Sequence, residues 1–168
     1  GKEKTSVLIV NSDPVLLRES SKIAAKEELR VVAADSGQAC LQRVGLEPPD
    51  LILLEAELPD IPGREVCRRI KSGPETAGIL VIMVAGPDDS VVASLDAGAD
   101  SVVRRPFNPA ELRAHFRNKM RIIRGEGELR RATERMDSIL QTIHAGTVIV
   151  DPSDCRILYA NRAASLII

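Results

Sequence analysis

Five short aliphatic runs, Ser6–Val10 ("SVLIV"), Leu29–Ala33 ("LRVVA"), Asp50–Leu54 ("DLILL"), Ile79–Val84 ("ILVIMV") and Ser101–Arg104 ("SVVR"), recur with helix-length stretches between them. Runs of this length bounded by turn residues read as strands buried on both faces. Their alternation with helices implies a parallel sheet covered on both sides. Asp13 before Pro14, Ser36 before Gly37 and Asn108 before Pro109 each put a capping oxygen just ahead of a first turn. Glu111, three residues after Asn108, completes a capping-box pattern. Gly45, Gly73 and Gly98 fall where helices should stop, with Pro48 and Pro74 close behind two of them.

Right-handed crossovers bring the carboxyl ends of parallel strands to one edge, where open α/β sheets place their chemistry. Asn11, Ser12 and Asp13 after the first run, Glu55 after the third, Ala85 and Gly86 after the fourth and Arg105 after the fifth are expected to meet there. Glu55 stands out, because the four apolar residues Leu51–Leu54 run straight into its carboxylate.

The chain has 168 residues, enough for one full domain and a remainder too short for a second of ordinary size. Hydrophobic residues at 44% and charged ones at 28% fit a soluble globular protein. Aromatics are only 2%, too few for a stacking platform on single-stranded nucleic acid, and a net charge of -1 gives no footprint for DNA or a membrane surface. The arginines Arg104, Arg105, Arg113, Arg117, Arg121 and Arg124 read as a solvated helix face with mixed charges. No apolar run approaches the roughly 20 residues that span a bilayer, and no signal peptide opens the chain, so a cytoplasmic protein is expected. Cys40, Cys67 and Cys155 share no ligand spacing and are expected to be reduced thiols. A chain that opens on Gly1 without Met reads as a trimmed piece.

From Pro109 the helical pattern runs on. Leu112, His115, Lys119, Ile122, Glu126, Leu129, Thr133, Met136, Leu140 and Ile143 alternate in steps of three and four, a heptad with one mostly apolar seam position and one mixed. Gly125 and Gly127 weaken its middle by about 1 kcal/mol each. One long helix that pairs with a second copy and two helices joined near Gly125 both fit. The tail, "GTVIVDPSDCRILYANRAASLII", offers strands at Thr147–Val150 and Arg156–Tyr159, a turn at Asp151–Asp154 and a helix start at Asn161. Two strands and a stub cannot bury a core. The tail therefore reads as the front of a domain continued elsewhere.

Residues 1–122 resemble the receiver domain of two-component response regulators. "VLIVNSDP" is similar to the family's "ILIVDDDP", "PDLILLEAELPDIPGREVCRRIK" to "PDLILLDLxMPxMDGxExCRxIK", "VIMVAGPDD" to "VIMLTAxDD" and "AGADSVVRRPFNPAEL" to "AGADDYLTKPFxPxEL". The resemblance implies a flavodoxin-like, doubly wound sheet with strand order 2-1-3-4-5. A helical linker at 123–145 follows, and 146–168 resembles the opening of a PAS sensor domain, "GIxVxDxxGxILYANxAAxxLxG". The match covers too little of that fold to carry over any ligand.

In the receiver family, an acidic pair after the first strand holds Mg²⁺ and an aspartate after the third accepts a phosphoryl group from a histidine kinase. A Ser/Thr after the fourth strand and a lysine after the fifth bind that group, and an aromatic reports its arrival. Aligned on the quoted motifs, the acidic pair falls on Asn11 and Ser12, the acceptor on Glu55, the hydroxyl on Ala85, the lysine on Arg105 and the aromatic on Val102. Asp13 remains, but as a helix cap. A hard dication wants several anionic oxygens, so Mg²⁺ binding is expected to be lost. Glu55 is one methylene longer than aspartate, which displaces the oxygen that in-line transfer would use. The resemblance also implies a cis Arg105–Pro106 bond.

Two readings of Glu55 follow. Its carboxylate stands in for phosphoaspartate charge and pairs with Arg105, whose planar fork suits a bidentate contact, or the pair merely fills an abandoned pocket. Three classes of function fit. The leading one is a degenerate receiver, not an enzyme, that acts through protein contacts with a histidine kinase or output domains and through a homodimer along the C-terminal helix. The others are a receiver phosphorylated on an unusual acceptor, Glu55 or Asp13, and a small ligand-binding or catalytic flavodoxin-like domain. The last lacks a glycine-rich phosphate loop, since "NSDP" follows the first strand. His115 and His144 lack a phosphotransfer platform and read as helix-surface residues.

Overall fold

The computed structural model describes residues 3–142, 148–154 and 156–160. Ile143, His144, Thr147, Cys155 and the helix start at Asn161 lie outside the described residues. The chain divides into two compact units, Gly1–Ile122 and Ile123–Ile168.

In the first unit, strands β1 (Ser6–Val10), β2 (Arg30–Ala34), β3 (Leu51–Glu55), β4 (Leu80–Ala85) and β5 (Ser101–Arg104) alternate with helices α1 (Pro14–Lys26), α2 (Gly37–Leu46), α3 (Gly63–Ser72) and α4 (Val91–Asp96), and α5 (Pro109–Thr142) begins in this unit and ends in the second. The strands form one parallel sheet in the order β2-β1-β3-β4-β5. Burial follows from that order. Every residue of the central strands β1 and β3 is buried, whereas the edge strands β2 and β5 are partly exposed, which is why their sequences are less apolar.

Strand pleating divides the core. Leu8, Val10, Ile52, Leu54, Val81 and Met83 pack in one cluster with Cys40 and Val44 of α2 and with Val66, Cys67 and Ile70 of α3. Alternate positions such as Val7, Ile9, Leu51 and Leu53 are equally buried. Leu112 and Phe116 of α5 are fully buried too, worth roughly 2–3 kcal/mol each in apolar transfer. Burial drives the thiols far from reactivity, Cys40 up to about 12 and Cys67 up to about 11.

The three sequence-marked caps form. Asp13 accepts from the Val15 N–H at 2.9 Å, Ser36 from Ala39 at 3.1 Å and Asn108 from Glu111 at 2.7 Å. The stops depart from expectation. Gly45 lies inside the last turn of α2, whereas Gly73 caps α3 and Gly98, at φ +102°, ends α4. Helix α1 ends in the same left-handed geometry without a glycine. Glu28 takes φ 61°, its N–H bonds the Ala25 carbonyl, and Leu29 N–H bonds that of Ala24.

Helix α5 runs unbroken through Gly125 and Gly127, which excludes the two-helix alternative. In the second unit, β6 (Val148–Val150) and β7 (Ile157–Ala160) pair antiparallel around a turn held by Asp151, whose Oδ1 accepts from the Ser153 N–H at 2.8 Å. Among the described residues, no helix is long and apolar enough to cross a membrane.

Candidate functional site

Glu55 closes β3, paired in register with Val84. Only 3% of it is exposed, so the strand-end carboxylate stays within the core. The backbone around it is tightly set. The Ala56 N–H donates to Val84 O at 2.9 Å and the Gly63 N–H to Ala56 O at 2.8 Å. A β-carbon at Gly63 would overlap the Glu55 carbonyl, so only glycine lets α3 begin there.

Two side chains meet Glu55. Asn11 Nδ2 donates to Glu55 Oε2 at 3.3 Å, and Arg105 Nη2 lies 3.1 Å from Oε1. The expected bidentate fork does not form. One guanidinium nitrogen makes the contact, out of hydrogen-bond alignment, and both Glu55 Oε1 and Arg105 Nε are buried without a hydrogen bond. Arg105 follows β5, its N–H bonds Ala85 O at 2.8 Å, and the Arg105–Pro106 peptide is cis. Its guanidinium lies against the open face of Gly86, where a β-carbon would stand 3.3 Å from Nη2.

Burial pushes the Glu55 carboxyl above its ordinary value. Arg105 and the Glu57 backbone N–H pull the other way, Asp89 pushes it further up, and the net displacement is upward. Asp89 was not apparent from sequence as a pocket residue; its Oδ2 accepts from the Gly86 N–H at 2.7 Å. The run "GPDD" after β4 carried that signal, an acidic side chain three residues past a glycine.

The other expected residues divide. Asn11 is buried, and its Oδ1 accepts from the Asp13 N–H at 2.9 Å, which commits both ends of its amide. Ser12 is exposed, and Asp13 faces solvent as the α1 cap. Ala85 is fully buried at the end of β4, and Val102 packs half-buried against the apolar cluster. A cavity of about 10 Å³, room for one water at most, lies beside Asn11, Ser20 and Arg105.

The sheet order and this strand-end cluster agree with the comparisons. Residues 7–117 match the family described as the response regulator receiver domain. The transcriptional regulatory protein KdpE of Mycobacterium tuberculosis is 29% identical over 150 residues, 89% of this chain and 66% of that protein. CseB of Streptomyces coelicolor, also a transcriptional regulatory protein, is 36% identical over 122 residues, 71% of this chain and 50% of that protein. The chain thus spans between half and two-thirds of these relatives. A CheY-like receiver domain protein from Methanospirillum hungatei superposes with a TM-score of 0.69 at 28% identity, over 74% of this chain and 99% of that one. With its profile match, its sheet order and its relatives all in agreement, the chain belongs to the response regulator receiver family of two-component signalling.

Proposed function

We infer that this receiver no longer cycles phosphate and works, without enzymatic activity, as a protein-contact module of a two-component pathway. The observation that carries this reading is the state of Glu55. The acceptor position holds a longer carboxylate, buried, raised in pKa and pressed against a single arginine nitrogen. In-line phosphoryl transfer depends on a placed oxygen and a metal beside it.

The metal's donors are also missing. Asn11 is committed at both ends of its amide, Asp13 caps α1, and Glu55 Oε1 faces a guanidinium. Arg105 stands beside Glu55 at that edge, so a dication would meet a guanidinium where it wants anionic oxygens, and Mg²⁺ is not held. Ala85 and Val102 offer neither a hydroxyl nor an aromatic ring to respond to a phosphoryl group. The Glu55–Arg105 pair then acts as a fixed structural element of the pocket.

The partners are histidine kinases or output domains of the same pathway in the cytoplasm, together with a second copy of the chain along α5. The hairpin β6–β7 supports reading 146–168 as the start of a PAS domain, since an antiparallel pair around a short turn is what its quoted pattern requires. Titration calorimetry with Mg²⁺ tests the site. No heat of binding at millimolar Mg²⁺ is the expected outcome, and saturable binding lost in Glu55→Gln would overturn the reading.

A further inference from the structure

Ile122, Leu129 and Met136 stand seven residues apart on α5, and all three are exposed, the last two at 71% and 58%. Gly125, Ala132 and Ile139 follow them by three residues, and Ile139 is 58% exposed. Alternating steps of three and four keep all six on one stripe. This stripe is not the one traced through Lys119, Glu126 and Thr133. Leu112 and Lys119 are buried within the receiver unit, and the second seam position moves one residue earlier, to the row Gly125, Ala132 and Ile139. Elsewhere around the helix, Arg130 and Glu134 form an i,i+4 ion pair at 3.7 Å with both side chains well exposed, as on a solvated face.

We propose that a second copy of the chain covers this stripe, in a two-stranded coiled coil with Ile122, Leu129 and Met136 at one seam position and Gly125, Ala132 and Ile139 at the other. The flanking charges fit a like helix. In a parallel pair, Arg121 faces the partner's Glu126 and Glu128 faces the partner's Thr133, so opposite charges meet once per side and like charges do not. Gly125 and Ala132 let the two backbones approach closely between the large layers. This assignment rests on the reading of the chain as a self-associating module and names the surface it uses.

The test uses the whole chain carrying Cys155→Ser, because Cys40 and Cys67 are buried. A single cysteine is introduced by Ala132→Cys on the stripe or by Glu134→Cys off it, and each is treated with a short bis-maleimide. Sedimentation of the unmodified chain and of the double variant Leu129→Asp/Met136→Asp runs in parallel, with circular dichroism to check the fold. The expected result is a dimer that cross-links at least tenfold faster from position 132 than from 134, and at least tenfold weaker association in the aspartate variant. A dimer with equal cross-linking at both positions, or indifferent to the aspartates, would overturn the stripe while leaving self-association intact. A monomer at every concentration would overturn both.

Discussion

Arg105 Nη2 and Glu55 Oε1 lie 3.1 Å apart, yet that oxygen accepts no hydrogen bond. Charge meets charge without the forked geometry that makes arginine–carboxylate pairs strong. A buried pair of this kind compensates poorly for the water that both groups gave up.

Glu55→Gln should therefore raise the stability of the receiver at neutral pH. The folded-state pKa of Glu55 is raised above its ordinary value of 4.5, so its contribution is fully present below that value and is lost as pH rises through the folded pKa. The stability difference between Glu55→Gln and the parent should be largest above the folded pKa and should shrink as pH falls toward about 4.5. Urea titrations across that range measure it, and a difference that grows with acidity would contradict the sign.

Removing the other partner should act in the opposite direction. Arg105→Met strips the only nearby cation among the described residues from a buried carboxylate and should destabilise by about 1–3 kcal/mol. In the Glu55→Gln background the same change should be nearly silent. A double-mutant cycle by chemical denaturation reads the coupling, and additivity of the two substitutions would show that the pair does not interact.

Two helix ends predict opposite responses to glycine chemistry. Glu28 sits at φ 61° on the surface, so Glu28→Gly should stabilise by about 1 kcal/mol. Gly98→Ala should destabilise by at least about 1 kcal/mol, because φ is +102° and a β-carbon would stand 2.9 Å from Lys71 Cγ. Thermal melts of the two variants should shift in opposite directions.

Asp60 accepts from the Gly37 and Gln38 N–H groups at 2.9 and 2.8 Å, which ties the loop before α3 to the start of α2. These backbone donors hold its carboxyl below its ordinary value of 3.8. Its contribution is present above that value and is lost as pH falls through the lower folded pKa. Asp60→Asn should thus destabilise at pH 7, with the gap to the parent narrowing in acid, as melts at pH 7 and in acid would record.

Local signals made much of the fold legible. The runs at β1, β3 and β4 are nearly all aliphatic because both of their faces are buried, and Asp13, Ser36 and Asn108 cap because their side-chain oxygens reach N–H groups two or three residues on. What sequence did not reveal depends on contacts distant in the chain. Helix α1 stops at a left-handed glutamate, and α3 starts at Gly63 with no side-chain cap because Gly63 fits under the Glu55 carbonyl. In the pocket, the substitutions at Asn11, Glu55, Ala85 and Arg105 were readable from position alone. The burial of Glu55, its misaligned arginine and the commitment of Asn11 to both Glu55 and Asp13 follow from strand register and rotamers.

On this reading the acceptor position takes up no phosphoryl group. Incubation of the chain with acetyl phosphate and Mg²⁺, followed by intact mass spectrometry, decides it. The mass of the parent and of Glu55→Gln should both stay unchanged, whereas a phosphoryl adduct on the parent that disappears in Glu55→Gln would show that Glu55 is phosphorylated.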